Sequence, residues 1–406
     1  RIGKMKIRFS LPEVCELMRR GHEVLIVPRT PHGLIVHSDA YSLGNSTIKQ
    51  PLMSGSIAAG GLSSLRHYQK NAWLALGLLR HSRDVRVLLK NLSVYPKGLW
   101  LAQICDQWGA EHIHAHWAST TATMALVASK VCGVPWSFTA HRWDIKENNL
   151  LKIKSHDALF VRTISENGAR ELSRLADYPR ELVRVIHAGI DLPELSCAPT
   201  VSERDTPQDV YRVIVPANLV EVKGHRFVFQ AIKNLVSRGF GISLDLAGDG
   251  PLRDSLVEYA HALGIANNVE FLGVVPHDEL LSRMEQGEWA LCVLPSIITA
   301  DGAHEGIPVS LMEAMARKVP VISTNSGSIP ELLDGGAGVI VPPGDNAALA
   351  EAIAGLLCDP ALRDSFAEMG LARVQQEFAV EAVVDSLLAN MQASQAKCTR
   401  SDSSFQ

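Results

Sequence analysis

No uninterrupted apolar run in this chain approaches the ~20 residues that a membrane-spanning helix needs. The opening stretch Arg1 to Phe9 is basic, but no long apolar segment follows it, so it does not read as a secretory signal. The seven cysteines (15, 105, 132, 197, 292, 358 and 398) are odd in number and scattered, with no C-x-x-C among them. That argues against a disulfide framework or a zinc site and points to a reducing cytoplasm. A dinucleotide fingerprint is also missing. "AGDGPL" (247–252) fits G-x-G-x-x-G poorly, which counts against an oxidoreductase. No nucleic-acid recognition motif occurs, so nucleic acid is not expected as a partner.

What is present describes a soluble globular protein of more than one core. The 406 residues are 47% hydrophobic and 20% charged, and domains of roughly 100–200 residues predict two or three units. The formal net charge of −4 hides an asymmetry. Residues 1–200 hold 25 Lys+Arg against 16 Asp+Glu, and the remainder holds 14 against 27. Six of the seven tryptophans (73, 100, 108, 117, 136 and 143) also lie in the first half. A basic, Trp-rich half suits an anionic partner such as a phosphorylated acceptor or a lipid surface, against the plainer reading of an uneven solvated surface.

Strand-like and helix-like runs alternate along the chain. "HEVLIVP" (22–28), "EHIHAH" (111–116), "WSFTAH" (136–141), "DALFVRT" (157–163) and "LVRVIHAG" (182–189) read as buried strands. The second half repeats the pattern more cleanly, from "YRVIVPA" (211–217) to "AGVIVPP" (337–343). In 224–239, Val228, Ala231, Ile232, Leu235 and Val236 follow the helical i, i+3, i+4, i+7, i+8 rule, and Gly239 supplies the stop. Apolar strands alternating with helices predict parallel sheets covered on both faces. The fold class expected is therefore α/β, with two Rossmann-like doubly wound domains facing a central cleft. The boundaries expected are 1–195 for an N-terminal domain, 196–209 for a Pro- and Ser-rich linker, and 210–377 for a C-terminal domain. Residues 378–395 read as a C-terminal helix crossing back to the first domain, and 396–406 as a disordered tail.

The most informative stretch is "DGAHEGIPVSLMEAMARKVPVIS" (301–323), in which seven residues separate Glu305 from Glu313. Pro308 is suited to the first position of a helix, where its missing N–H costs nothing. The amides of Val309, Ser310 and Leu311 would then be free donors at a positive helix end, a natural site for phosphate. A carboxylate beside phosphate is tolerable if it accepts hydrogen bonds from neutral hydroxyls. A ligand with hydroxyls on both sides of a phosphate link is a nucleotide sugar. Either glutamate alone reads more simply as helix-dipole compensation.

The surrounding motifs resemble retaining family 4 glycosyltransferases, of the type that builds bacterial exopolysaccharide and cell-surface glycans. "DGAHEGIPVSLMEAMA" is similar to that family's donor signature, and "PANLVEVKGH" (216–225) to its phosphate-binding strand and loop. "LAGDGPLRDSL", "VEFLGVVPHDEL", "STNSGSIPELL", "HAHWA", "SFTAHRWDI", "RTISENGARELSRL" and "VIHAGIDL" follow the family's order, so the resemblance covers roughly residues 10 to 390. It implies the two-domain GT-B fold and a retaining, metal-independent hexosyl transfer from a nucleotide-sugar donor to a glycan or lipid-linked acceptor. UDP is the preferred base. No D-x-D stands in a suitable position, and no cofactor or metal is implied.

By the same resemblance Glu305 holds the donor sugar and Glu313 the ribose. The backbone of Gly306, Ile307, Pro308, Val309 and Ser310 lines the sugar and β-phosphate. Lys223 is the charge on the diphosphate, where it would offset the negative charge growing on the leaving group. His141, after strand "WSFTA", matches the family's histidine beside the donor sugar, with Asp144 and His116 as acceptor-side candidates. His112, His114 and His116 alternate on one strand face, but one face without Cys or acidic partners rarely makes a tetrahedral metal site.

Two departures stand out. Asn218 occupies the place of an arginine that shares the diphosphate in the family; it can donate hydrogen bonds but brings no charge. Arg142 and Arg226 are candidate replacements. The start, "RIGKMKIRFSLPEV", moves almost directly from strand to helix, as if the first strand region of the N-terminal domain were truncated. Alternatives are therefore a donor-binding homologue with impaired catalysis, or a nucleotide-sugar epimerase on the same fold. Segment 71–92, apolar with Arg80, Arg83, Arg86 and Lys90, could lie on an anionic membrane at its inner, cytoplasmic face, or pack as a helix on the first lobe.

Overall fold

Alternation of short apolar strands with helices produces two parallel sheets in the computed structural model, which describes residues 11–30, 43–52, 54–57, 68–193 and 210–403. The expected opening strand near 5–9 and the linker at 196–209 lie outside the described residues. The chain divides into two compact units, Arg1–Gly189 with Val380–Gln406, and Ile190–Ala379. The first unit therefore ends at Gly189, earlier than the composition break suggests.

In the first unit the strands are β1 (Ile113–His116), β2 (Trp136–Ala140), β3 (Val161–Thr163) and β4 (Val183–Val185). They lie side by side in that order, all parallel. β2 is buried along its whole length, as expected of a strand covered on both faces. Phe138, Ile145, Val161 and Leu172 are fully buried in its core. Residues 22–28 form no ladder among the described residues, contrary to the strand expected there; Ile26 makes one parallel bridge to Thr47. The carbonyls of Pro28 and Arg29 instead accept from the buried ammonium of Lys97, at 2.6 and 2.9 Å. The final helix, Val380–Ser403, belongs to this unit. Arg20 ties it to helix Leu11–Arg19 by pairing with Asp385 and donating to the Glu381 carbonyl at 2.9 Å. The helix continues past 396, where polar composition predicts disorder. Ala393, Gln395, Ala396 and Lys397, all good helix formers, lead into that stretch.

The second unit contains β5 (Tyr211–Pro216), β6 (Ile242–Ala247), β7 (Val269–Gly273), β8 (Leu291–Leu294), β9 (Val321–Thr324) and β10 (Val339–Val341). Its sheet order is β10-β9-β8-β5-β6-β7, with every pair parallel. The chain builds outward from β5 in one direction, returns to the middle, and builds outward in the other from β8. This is the doubly wound order, and its reversal point lies between β5 and β8. Strand residues Val213, Ile214, Leu244, Leu291, Val293 and Ile322 are fully buried. So are Val228, Ala231, Ile232 and Leu235 of helix His225–Ser237, the face that periodicity picked out. Burying one such side chain stabilises the unit by about 1.5–3 kcal/mol.

Candidate functional site

In open α/β sheets ligands bind beyond the carboxyl ends of the strands, at the reversal point. In the second unit the segments leaving those ends are 217–224 after β5 and 295–308 after β8. They carry Lys223 and Glu305. Gly224 presses so closely on the loop after β8 that a Cβ there would lie 1.9 Å from the Pro295 carbonyl oxygen. It also has φ +67°, so glycine is required on both counts. Ile297 N–H donates to the Val222 carbonyl at 2.9 Å, completing the seam. The result is direct contact between the two candidate residues. Lys223 Nζ lies 2.5 Å from Glu305 Oε2, and each side chain is only 17% exposed. The Ser296 hydroxyl donates to the same carboxylate oxygen at 3.4 Å.

The backbone of Glu305 is fixed from a third segment, the turn after β9. Ser328 N–H donates to the Glu305 carbonyl at 3.4 Å. A Cβ on Gly327, at φ +60°, would lie 1.8 Å from that same carbonyl oxygen. Around Gly306, by contrast, a Cβ would meet nothing within 4 Å, so the chain beside Glu305 borders open space.

The helix that follows is Val309–Ala316, and Pro308 stands one residue earlier than expected, as its N-cap with ψ 117°. Leu311 and Met312 N–H both turn back onto the Pro308 carbonyl, at 3.2 and 3.3 Å. Leu311 is therefore not a free donor. Among the described residues no protein acceptor meets the Val309 and Ser310 amides, which leaves them as the candidate donors at this helix start. Ile307 and Val309 pack partly against the hydrophobic core of the unit, which holds this helix start in place. Glu313, a turn further on, is engaged by a residue that the sequence reading did not single out. His277 Nε2 lies 2.7 Å from Glu313 Oε1.

Asn218 is exposed, directly after β5. The Arg226 guanidinium sits over the Tyr259 ring at 4.8 Å. Arg142 belongs to the first unit, over Trp143 at 5.3 Å. Burial, helped by the Lys223 charge, lowers neighbouring His225 to a pKa of about 4.

The first unit carries the remaining candidates. His116 ends β1 and His141 follows β2, and these neighbouring parallel strands bring their Nε2 atoms to 3.0 Å. Trp117, at φ +90°, leans on His141 with ring centroids 4.4 Å apart. Burial drives His116 to a pKa of about 3, with Arg162 adding repulsion. His141 is likewise pushed well below its usual value by burial and then by His116 and Arg162. Both are therefore neutral at pH 7, and one ring donates its N–H to the other.

Asp144, read from the sequence as an acceptor-side residue, is 3% exposed. Its carboxylate accepts His141 N–H at 2.6 Å and also Ala118 N–H. Burial raises it to a pKa of about 7 against those bonds. Its geometry is that of a clamp on the turn after β1. The buried Lys154 completes the clamp by donating to the Ala118 and Ser119 carbonyls at 2.8 and 2.7 Å. His112 and His114 bond to the hydroxyls of Ser137 and Thr139 at 2.7–2.8 Å. Among the described residues no cluster of three or more His, Cys, Asp or Glu is arranged to hold a metal.

Comparison with known proteins bears on the family and the fold. Residues 14–194 match the family model "Glycosyltransferase Family 4", and residues 201–373 match "Glycosyl transferases group 1". WcaL of Escherichia coli (strain K12), named as a colanic acid biosynthesis glycosyltransferase, is 30% identical over 322 residues, covering 73% of this chain and 74% of the relative. The amylovoran biosynthesis glycosyltransferase AmsK of Erwinia amylovora is 30% identical over 219 residues, 52% of each chain. Among solved structures, a glycosyltransferase from Rickettsia africae ESF-5 superposes with a TM-score of 0.69 at 16% identity, over 96% of this chain and 94% of that one. Anabaena Alr3699/HepE, solved with UDP, gives 0.59 at 19%, over 73% and 82%. The chain accordingly belongs to the glycosyltransferases of the GT-B fold, family 4 in its first half and group 1 in its second.

Proposed function

We propose that the chain moves a sugar from a nucleoside-diphosphate sugar, UDP-linked in the first instance, to a glycan or lipid-linked saccharide acceptor with retention of configuration. The observation that carries this reading is the Lys223–Glu305 pair at the reversal point of the sheet, next to the Val309 and Ser310 amides. The amides and Lys223 form a diphosphate site. Glu305, once released from Lys223, accepts hydroxyls of the sugar, and Glu313 accepts those of the ribose. In the transfer step the bond from the anomeric carbon to the phosphate oxygen breaks and the acceptor oxygen bonds on the same face. The acceptor's proton passes to the departing phosphate oxygen, so no side-chain base and no metal is needed. Lys223 and the helix start stabilise the charge on the leaving diphosphate. The UDP complex of Anabaena Alr3699/HepE, which shares the fold, supports UDP as the carrier.

The test is calorimetric titration with UDP, GDP and their sugars, followed by a transfer assay with and without EDTA. Binding of a nucleotide that Lys223→Ala abolishes, with EDTA-resistant transfer, is the expected result. Failure of every nucleotide to bind would overturn the assignment.

A second feature bears on the acceptor. No described helix is long and apolar enough to cross a membrane. However, helices Tyr68–His81 and Val85–Trp108 expose Leu76, Leu79, Val85 and Leu89 among Arg80, Arg83 and Arg86. We propose that this face rests on the anionic inner surface of a membrane, where lipid-linked acceptors reside. Salt-sensitive flotation with phosphatidylglycerol vesicles, lost in Arg80→Glu/Arg83→Glu, tests it. Equal flotation of the variant would refute it.

A further inference from the structure

The helix His277–Glu285 opens directly after Pro276, beyond β7, and runs beside helix Val309–Ala316. The two are pinned at two points. Arg317, just past the end of the second helix, donates its Nε–H to Glu285 Oε1 at 3.0 Å and its Nη1–H to the Glu313 carbonyl at 3.3 Å. At the other end His277 Nε2 meets Glu313 Oε1 at 2.7 Å. The Arg317 contacts fix the backbone under Glu313, and His277 fixes its carboxylate.

Glu313 keeps 15% of its side-chain exposure, so its carboxylate has lost most of its water. An ionised carboxylate only accepts, so Nε2 of His277 must carry the hydrogen in this bond. A bond of this charge-assisted kind holds one oxygen and with it the three side-chain torsions of the glutamate. Oε2 takes no part in the bond to His277. His277 itself is one-third exposed, so it is not part of the buried core.

We infer that His277 is a positioning residue for nucleotide recognition: it presets the Glu313 carboxylate so that its free oxygen grips the ribose. This rests on the reading that Glu313 binds ribose, and it adds a residue that neither the Glu pair nor the phosphate loop supplies. Without His277, Glu313 would have to be ordered at the moment of binding, and affinity would fall by roughly three- to tenfold. The loss belongs to ground-state binding, so KM for the donor rises while kcat stays.

The experiment is a double-mutant cycle read by calorimetry, using whichever of UDP and GDP the wild-type protein binds, with inorganic pyrophosphate as the probe that lacks ribose. His277→Ala is expected to weaken the nucleotide three- to tenfold and leave pyrophosphate unchanged. His277→Gln, whose amide nitrogen reaches the same point, is expected to restore most of the affinity. In a Glu313→Ala background the His277 substitution should change nothing. If His277→Ala folds poorly, His277→Asn, too short to reach Glu313, takes its place. Equal losses for nucleotide and pyrophosphate would overturn the inference, as would a His277 effect that persists without Glu313. Should Glu313→Ala weaken the nucleotide while His277→Ala does not, the His277 inference alone falls. Should Glu313→Ala bind like wild type, the ribose assignment falls and the inference with it.

Discussion

Replacing Glu305 by glutamine removes one negative charge and changes the side-chain shape very little. In the ligand-free protein that charge is spent on Lys223, at 2.5 Å and with both side chains 17% exposed. A diphosphate must therefore displace a carboxylate before it can use the lysine. The strength of that competition can be bracketed. Exposed pairs contribute only about 0.2–1 kcal/mol, and the bare attraction of two charges at ~4 Å is about 4 kcal/mol at an effective dielectric constant of 20. A pair this enclosed, which has already lost hydration, sits between the two at roughly 1–2 kcal/mol. Glu305→Gln should then bind free UDP about 5- to 30-fold more tightly than wild type. Transfer should move the other way. The sugar hydroxyls lose a charged acceptor worth about 1.5–3 kcal/mol, so the transfer rate drops roughly 10- to 100-fold. Calorimetry with UDP at two salt concentrations reads the first effect, and steady-state transfer reads the second. A variant that binds UDP no tighter than wild type would refute the competition between carboxylate and diphosphate for Lys223.

Gly327→Ala should cost about 1–3 kcal/mol of stability from its φ of +60° alone. Transfer should fall as well, because the new methyl would push the Glu305 carbonyl; thermal melting and a transfer assay on the same preparation check both. Asn218→Arg should strengthen nucleotide binding by roughly tenfold, the effect of one charge-assisted bond to phosphate, measured by titration with UDP; unchanged affinity would show that position 218 does not face the diphosphate. The first unit should be acid-sensitive. Burial holds His112 at a pKa of about 4 and His116 at about 3, with His114 and His141 also well below their usual range. Folded values below the unfolded ~6.5 mean that the stabilisation is present above pH 6.5 and is lost as pH falls toward 4 and 3. By pH 5 His112 or His116 alone gives up roughly 2 kcal/mol. Six of the seven tryptophans lie in this unit, so urea unfolding followed by fluorescence at pH 7.5 and pH 5 reads it directly. A midpoint independent of pH would count against neutral buried histidines.

Much of the second unit could be read directly. Its strands are continuous apolar runs because they are covered on both faces, and its helices carry one apolar stripe, so both periods stand out in 211–343. Lys223 and Glu305 stand out as candidates for a different reason. Each sits in a short motif where glycine, proline and charge occur together, since close backbone approach restricts residue type. The misreadings have local physical causes. Residues 22–28 look like a strand by composition, yet carbonyls there accept from Lys97, 69 positions away in the case of Pro28. Pro308 is good at the first helical position but also serves as an N-cap, and propensity does not separate the two. Asp144 looked like a ligand-facing acid because it follows a strand end. Whether an acid meets solvent or two backbone amides depends on the path of another segment, here Ala118.

The order of hydrophobic residues was enough, by itself, to set two parallel α/β layers, since burying a strand on both faces demands apolar side chains along its length. The residue types in the loops suggested the proposed chemistry, an anion site flanked by carboxylates. Which groups meet was decided only by the tertiary fold. The doubled winding of the second sheet sets the loop after β5 against the loop after β8, and so puts Lys223 on Glu305 across 82 positions of sequence. The packing of two helices likewise gives Glu313 to His277. Contacts of that kind follow from the geometry of strand order and helix packing, and no local pattern encodes them.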